Sequence, residues 1–82
     1  MPNPLHRYQY ELLRKMLVES REQARLTQTQ VAQRLGKPQS YISKYERGER
    51  RLDFTEFLEI ADVLAINVID FINNYRKNST SL

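Results

Sequence analysis

Residues 27–48 read TQTQVAQRLGKPQSYISKYERG, and the spacing of the apolar and special residues in this stretch decides the fold. Thr27 stands where a side-chain oxygen can accept from the free N–H groups of the next turn. A helix over 28–35 is predicted to follow, burying Val31, Ala32 and Leu35. Gly36 comes directly after, where helices stop in left-handed backbone that glycine adopts at little cost. Pro38 suits the start of a further helix, because its missing N–H would have no partner there. That helix is predicted from Gln39 to about Arg47, burying Ile42 and part of Tyr45 and ending at Gly48.

Helical period continues on both sides of this stretch, and no segment alternates polar with apolar for long, so the fold class is all-α with five helices. Upstream, a long first helix is predicted from about Arg7 to Arg25. Leu13, Leu17, Ser20 and Ala24 form one stripe on it, and Tyr8, Leu12 and Met16 form a second beside the first. Downstream, Asp53 caps a fourth helix whose core face is read as Phe54, Phe57, Leu58, Ala61 and Leu64. Asn67 caps a fifth, from Val68 to about Tyr75. Its apolar residues Val68, Ile69, Phe71, Ile72 and Tyr75 spread over roughly 160° of the helix surface, more than one small core requires. Part of that surface is expected to meet another subunit. The small polar residues 78–82 are expected to form a disordered tail, and His6 a frayed start.

The chain has 82 residues, the size of one small domain. It has no cysteine, which excludes disulfides, thiolate zinc sites and a cysteine nucleophile, and its one histidine excludes a multi-histidine metal site. Two glycines, twelve positions apart, fit neither a phosphate-binding loop nor a dinucleotide fingerprint. With no cluster of acids, histidine or nucleophile suited to chemistry, no enzyme activity is expected, and no metal, cofactor or small-molecule ligand. No apolar run approaches the roughly 18 residues of a membrane span, so the expectation is a cytoplasmic, nucleoid-associated protein. The formal net charge of +3 conceals an uneven distribution. Residues 20–51 carry eight basic side chains against three acids, whereas 52–75 carry five acids and no base. A basic middle with an acidic end behind it is the footprint of a nucleic-acid binder, or of two solvated helix faces of opposite sign.

Two short helices joined by a Gly-containing turn form a helix-turn-helix unit, here residues 28–47. Helical hairpins of this kind also occur in bundles that touch no DNA. The residue identities go further. Leu26-Thr27-Gln28, Val31-Ala32, Leu35-Gly36, Gln39-Ser40-Tyr41-Ile42-Ser43 and Tyr45-Glu46-Arg47-Gly48 resemble the lambda-repressor-like, Cro-type helix-turn-helix family, also called the xenobiotic-response-element family, over about 17–71. The resemblance implies a five-helix DNA-binding domain at 17–71. Residues 1–16 extend its first helix, and 72–82 form the end of the fifth helix and a flexible tail.

The resemblance also implies roles for single residues. The third helix enters the major groove, where Gln39 is the leading base reader because its amide can pair with adenine N6 and N7. Ser40, Ser43 and Lys44 are further base-reading candidates on the same outer side. Gln28 is expected to grip phosphate and brace Gln39, and Tyr41, Arg47, Arg50 and Arg51 are the other phosphate candidates, with Arg50 or Arg51 alternatively reaching a minor groove. Arg21 and Glu46 are expected to form a structural ion pair. Dimer-interface candidates are Val68, Ile69, Ile72 and Tyr75 on the fifth helix and Tyr8, Leu12 and Met16 on the first. The sequence departs from the family pattern at Arg25, where glycine is common and whose presence predicts a less sharp end to the first helix. It departs again at Pro38, which replaces a Ser/Thr cap, and in the segment before Leu17, which is longer than the domain needs. The expected function is homodimeric binding to a palindromic operator in double-stranded DNA, regulating transcription, more as a repressor than an activator. The alternative is a protein-interaction or antitoxin-type module that uses the same fold to hold a partner protein.

Overall fold

The computed structural model describes the backbone of residues 4–79 and the side chains from residue 8. The helices are α1 (Pro4–Gln23), α2 (Gln28–Leu35), α3 (Gln39–Glu46), α4 (Phe54–Val63) and α5 (Val68–Ser79), and the described residues contain no strand. Each start has a chemical cause. Thr27 and Asp53 form reciprocal capping boxes with Gln30 and Glu56, each pair satisfying two otherwise free N–H groups. Asn67 accepts from the Asp70 N–H at α5. Pro38 occupies the cap position of α3 with no side-chain hydrogen bond, as the loss of a hydroxyl there requires.

Helices α1 to α4 all stop in the same way. A residue in left-handed backbone follows each one, its N–H bonds back three positions, and the next N–H bonds back five, closing the last turn. At α2 and α3 that residue is glycine, Gly36 and Gly48. At α1 and α4 it is Arg25 (φ 59°) and Ala65 (φ 55°). The expectation of a blunt end to α1 is therefore corrected: the Leu26 N–H reaches the Arg21 carbonyl at 3.2 Å, and the helix ends two residues before the predicted limit. A Cβ in this conformation costs about 1–2 kcal/mol, part of which glycine returns as unfolded-state entropy. Arg25→Gly and Ala65→Gly should each raise stability by up to about 1 kcal/mol, read as a melting temperature some 4–8 °C higher. A fall in melting temperature would contradict the assignment.

The core sits where α2 and α3 cross and α1, α4 and α5 close over them. Leu17, Val31, Ile42, Tyr45 and Ile60 are sealed from solvent, with Ala32, Ala61, Leu64 and Phe71 beside them. Helix α2 packs on α3 and α4, and α1 packs on α3 and α5. Ala32 is 2% exposed between neighbouring helices, where a larger side chain would force the hairpin apart. The core face of α4 is Ile60 and Ala61, with Phe57 partly buried and the cap residue Leu64 beside them; Phe57, Ala61 and Leu64 lie where predicted, Ile60 joins them, and Leu58 is only half-buried. Phe54, the first residue of the helix, lies beyond the core and is 69% exposed.

Both ends of the chain are more helical than expected. Pro4 opens α1, so the backbone at His6 is helical, and α5 continues past Tyr75 through Asn78 and Ser79. The Asn78 side chain donates to the Asn74 carbonyl, and Arg76 and Lys77 place positive charge at the negative end of the helix. Residues 80–82 of the expected tail lie outside the described residues. None of the described helices is long and apolar enough to cross a membrane.

Tyr45 is buried whole, not in part, and its hydroxyl has no hydrogen-bond partner among the described residues. Burial, reinforced by the nearby Glu46 charge, pushes this phenol well above the ordinary tyrosine range. The neutral form contributes stability that is complete below the unfolded value near 10 and is lost as pH rises above it. Tyr45→Phe should remove that alkaline sensitivity and, by deleting an orphaned polar atom, stabilise the domain by about 1 kcal/mol at neutral pH. Melts at pH 8 and 11 test both statements. A less stable Phe variant at pH 8 would mean that the hydroxyl has a partner after all.

Candidate nucleic-acid interface

Helix α3 is anchored by Ile42 and Tyr45, three positions apart and both facing the core. That fixes its rotation. Gln39, Ser40 and Lys44 are exposed on the other side, and Ser43 is half-buried at the margin. The turn from α2 holds the tilt of α3 through the left-handed Gly36 and the Lys37 N–H, which donates to the Ala32 carbonyl at 3.0 Å. Tyr41, one of the phosphate candidates, does not lie on that exposed side. It is half-buried and packed on the core, its ring edge-on to Tyr45 at 5.9 Å. Burial raises its phenol above the usual range.

The expected ion pair is present and extends further than the resemblance implied. Arg21 donates through Nε to Glu46 Oε2 at 2.7 Å and through Nη2 to Oε1 at 3.2 Å, while Nη1 reaches the Leu26 carbonyl at 2.9 Å. The Glu46 side chain is only 7% exposed, so the acid is neutralised out of solvent, and its hydrogen bond holds the Arg21 guanidinium above its usual range. Gln28 Nε2 then donates to Glu46 Oε1 at 2.8 Å, and Gln39 Nε2 donates to Gln28 Oε1 at 2.6 Å. The ion pair and the glutamine pair are thus one continuous chain from α1 through α3 and α2 to the exposed start of α3. The capping box occupies the Gln30 N–H, leaving the N–H groups of Gln28 and Thr29 at the open end of α2.

The basic residues after α3 divide by their partners. Arg47 is paired with Glu49 in an exposed bridge and also donates to Ser43 Oγ; the Arg47 hydrogen bond holds the Glu49 carboxyl below its usual range. Arg50 binds Glu56, whose other oxygen accepts from the Asp53 N–H, and its guanidinium lies 4.7 Å from the centroid of the Tyr41 ring. Arg51 lies 4.4 Å over the ring of Tyr10, and exposed Lys44 forms no ion pair among the described residues.

Two residues of this assembly were not foreseen. Arg14 Nη1 donates to the Glu46 carbonyl at 2.7 Å, and the Tyr10 hydroxyl donates to the Arg50 carbonyl at 3.0 Å. The extension of α1 therefore grips both ends of the 46–50 loop. The Arg14 side chain lies 3.0 Å from where a Cβ on Gly48 would stand, a second reason for glycine there. The available signal was helical spacing: Tyr10, Arg14 and Arg21 recur along α1 at steps of four and seven.

The dimer-interface candidates behave unequally. Ile69 is 68% exposed and Ile72 is also exposed, while Val68 and Tyr75 are half-buried. Tyr8 is exposed and Leu12 half-buried, but Met16 packs on the core of its own chain. An apolar groove lined by Leu13, Leu52, Phe54, Phe57, Ile72 and Tyr75 opens beside α5. No group of acids or histidines able to hold a metal occurs among the described residues.

A family model described as helix-turn-helix matches residues 17–71 of the chain. No curated protein and no solved structure matches it.

Proposed function

Because the chain belongs to the lambda-repressor-like helix-turn-helix family of DNA-binding transcription regulators, we propose that it binds a palindromic duplex operator as a homodimer and acts as a repressor. Helix α3 lies in the major groove in this reading. Gln39 reads adenine, Lys44 donates to guanine O6 or N7, and Ser40 and Ser43 contact base edges or phosphate. Gln28 with the open N–H groups of α2 takes one phosphate, and Arg51, Arg47 and Arg50 line the flanking backbone, the last two after exchanging carboxylate for phosphate. Tyr41 backs Arg50 from beneath. The observation that carries the reading is the hydrogen-bonded chain ending at Gln39, which holds a base-reading amide on the one side of α3 that the core leaves exposed.

The exposed Ile69 and Ile72 support a dimer through α5, extended by Val68 and Tyr75 and flanked by Tyr8 and Leu12 on α1. Two reading helices related by a two-fold axis would then address half-sites about one helical turn apart. Such a regulator works without catalysis, in the compartment that holds DNA.

Selection from a random duplex pool, followed by salt titration, tests this. A palindromic site should emerge, and log affinity should fall with log salt at about −0.9 per phosphate contacted. Gln39→Ala should relax the preference at one base pair by about 1–3 kcal/mol while leaving the salt slope unchanged. A flat salt response with no selected site would instead identify an antitoxin-type module that holds a protein partner on its apolar α5 face.

A further inference from the structure

We propose that Glu46, buried and out of reach of DNA, determines which base Gln39 accepts, by fixing the direction in which two amide side chains point. The proposal rests on the base-reading role given to Gln39 above.

The argument is a matter of donors and acceptors. A guanidinium only donates and an ionised carboxylate only accepts. Arg21 takes both oxygens of Glu46, so anything else that binds this carboxylate must be a donor. Gln28 can meet that demand only through Nε2, as observed at 2.8 Å, and its Oε1 must then face outward. Gln39 in turn must offer an N–H to that oxygen, as observed at 2.6 Å. What remains free on Gln39 is one N–H on the side near Gln28 and an acceptor oxygen on the far side. That order suits adenine, whose N7 accepts and whose N6 donates. The amide orientations therefore follow from the charge types at the buried end, not from the amides themselves, either of which could otherwise turn over at little cost.

Glu46→Gln reverses the logic at nearly constant shape. The 2.7 Å contact from Arg21 Nε demands the new amide oxygen, because an N–H there would face a donor at the closest approach. The new amide nitrogen then faces Gln28 and gives up the longer, 3.2 Å contact from Arg21 Nη2. Gln28 turns its oxygen inward and its nitrogen outward, and Gln39 answers with its oxygen. The far position of Gln39 becomes a donor, which suits guanine O6 and repels the adenine N6 amino group, while its near position becomes an acceptor that leaves N7 of either purine unpaired, so adenine preference is lost as overall affinity falls.

The test is selection from a random duplex pool with four proteins: wild type, Glu46→Gln, Gln28→Leu and Gln39→Ala, each first confirmed as folded by thermal melting. For Glu46→Gln the adenine-to-guanine ratio at the base pair assigned to Gln39 should fall by at least about tenfold. For Gln28→Leu, which frees Gln39 to turn either way, it should collapse toward parity even as affinity drops for all sequences. This second variant decides the question should Glu46→Gln not fold. If Gln39→Ala relaxes that base pair but Glu46→Gln or Gln28→Leu keeps the wild-type ratio within about twofold, the orienting role is overturned while base reading stands. If Gln39→Ala changes no position, base reading falls and this inference falls with it. A role of Glu46 in stability alone would lower the melting temperature without exchanging one base for another.

Discussion

Arg21→Met is expected to lower the melting temperature by roughly 12–24 °C, the equivalent of about 3 kcal/mol in a domain of this size. The cause is the environment of the group left behind. Glu46 is 7% exposed, and without the guanidinium the one side-chain donor left to its carboxylate among the described residues would be the neutral amide of Gln28. Leu26 would also lose the Nη1 donor on its carbonyl. Removing one partner of a buried pair typically costs about 3–5 kcal/mol, and the lower figure is appropriate because Arg21 is 16% exposed and water can partly replace it. Replacing both partners removes the stranded charge, so Arg21→Met combined with Glu46→Leu should recover most of the loss. Thermal melts of the single and double variants, followed by circular dichroism, separate these outcomes. A single variant melting within about 2 °C of wild type would show that the pair does not lock the helices.

Ile42→Ala should cost about 2–5 kcal/mol, through lost burial and the cavity left behind. Ile42 is fully sealed at the centre of the core and, with Tyr45, holds α3 in its rotation. Total stability for a chain of this length is about 4–12 kcal/mol, so the loss is a large fraction of the whole. The denaturant midpoint should fall sharply, whereas Gln39→Ala, on the exposed side of the same helix, should move it by no more than about 0.5 kcal/mol in equivalent terms. Together the two variants separate folding from the proposed base reading on one eight-residue helix. An Ile42→Ala cost under about 1 kcal/mol would mean that the site collapses around the smaller side chain and that α3 is not held there.

What could be read in the sequence was what depends on near neighbours. Thr27, Asp53 and Asn67 cap helices through contacts three residues away, and Gly36 and Gly48 announce the stops that follow α2 and α3. The equivalent stop at Ala65 was hidden, because nothing in an alanine advertises left-handed backbone, and at Arg25 the one pointer was the glycine common there in the resembled family; the surrounding hydrogen bonds impose both. On α4 the face at Phe57, Ala61 and Leu64 was legible, whereas Phe54 looks like a core residue although the helix has only begun there and the core lies a turn further on, where Ile60 is buried. In the candidate site, the Arg21–Glu46 and Gln28–Gln39 pairs came with the resemblance to a known family. The bond that joins them, from Gln28 to Glu46, depends on how α2 and α3 meet and has no local signature. The same holds for Arg50 with Glu56 and for Tyr10 and Arg14 on the loop beyond α3, which are separated in the chain by a turn or by the whole helical hairpin.

The grip of Tyr10 and Arg14 on that loop has a thermodynamic consequence. A loop that is disordered in the free protein must give up its conformational entropy at the moment of association, which weakens binding and slows productive encounters. Here both ends of the segment from Glu46 to Arg50 are tied to α1, and the guanidinium of Arg51 rests on the Tyr10 ring before any partner arrives. The ordering is completed during folding, so the loop meets a polyanion as a rigid body. The residues that accomplish this lie ahead of the span shared with the family. A domain cut back to that span would keep helix α3 but would have to assemble the basic edge anew in each complex.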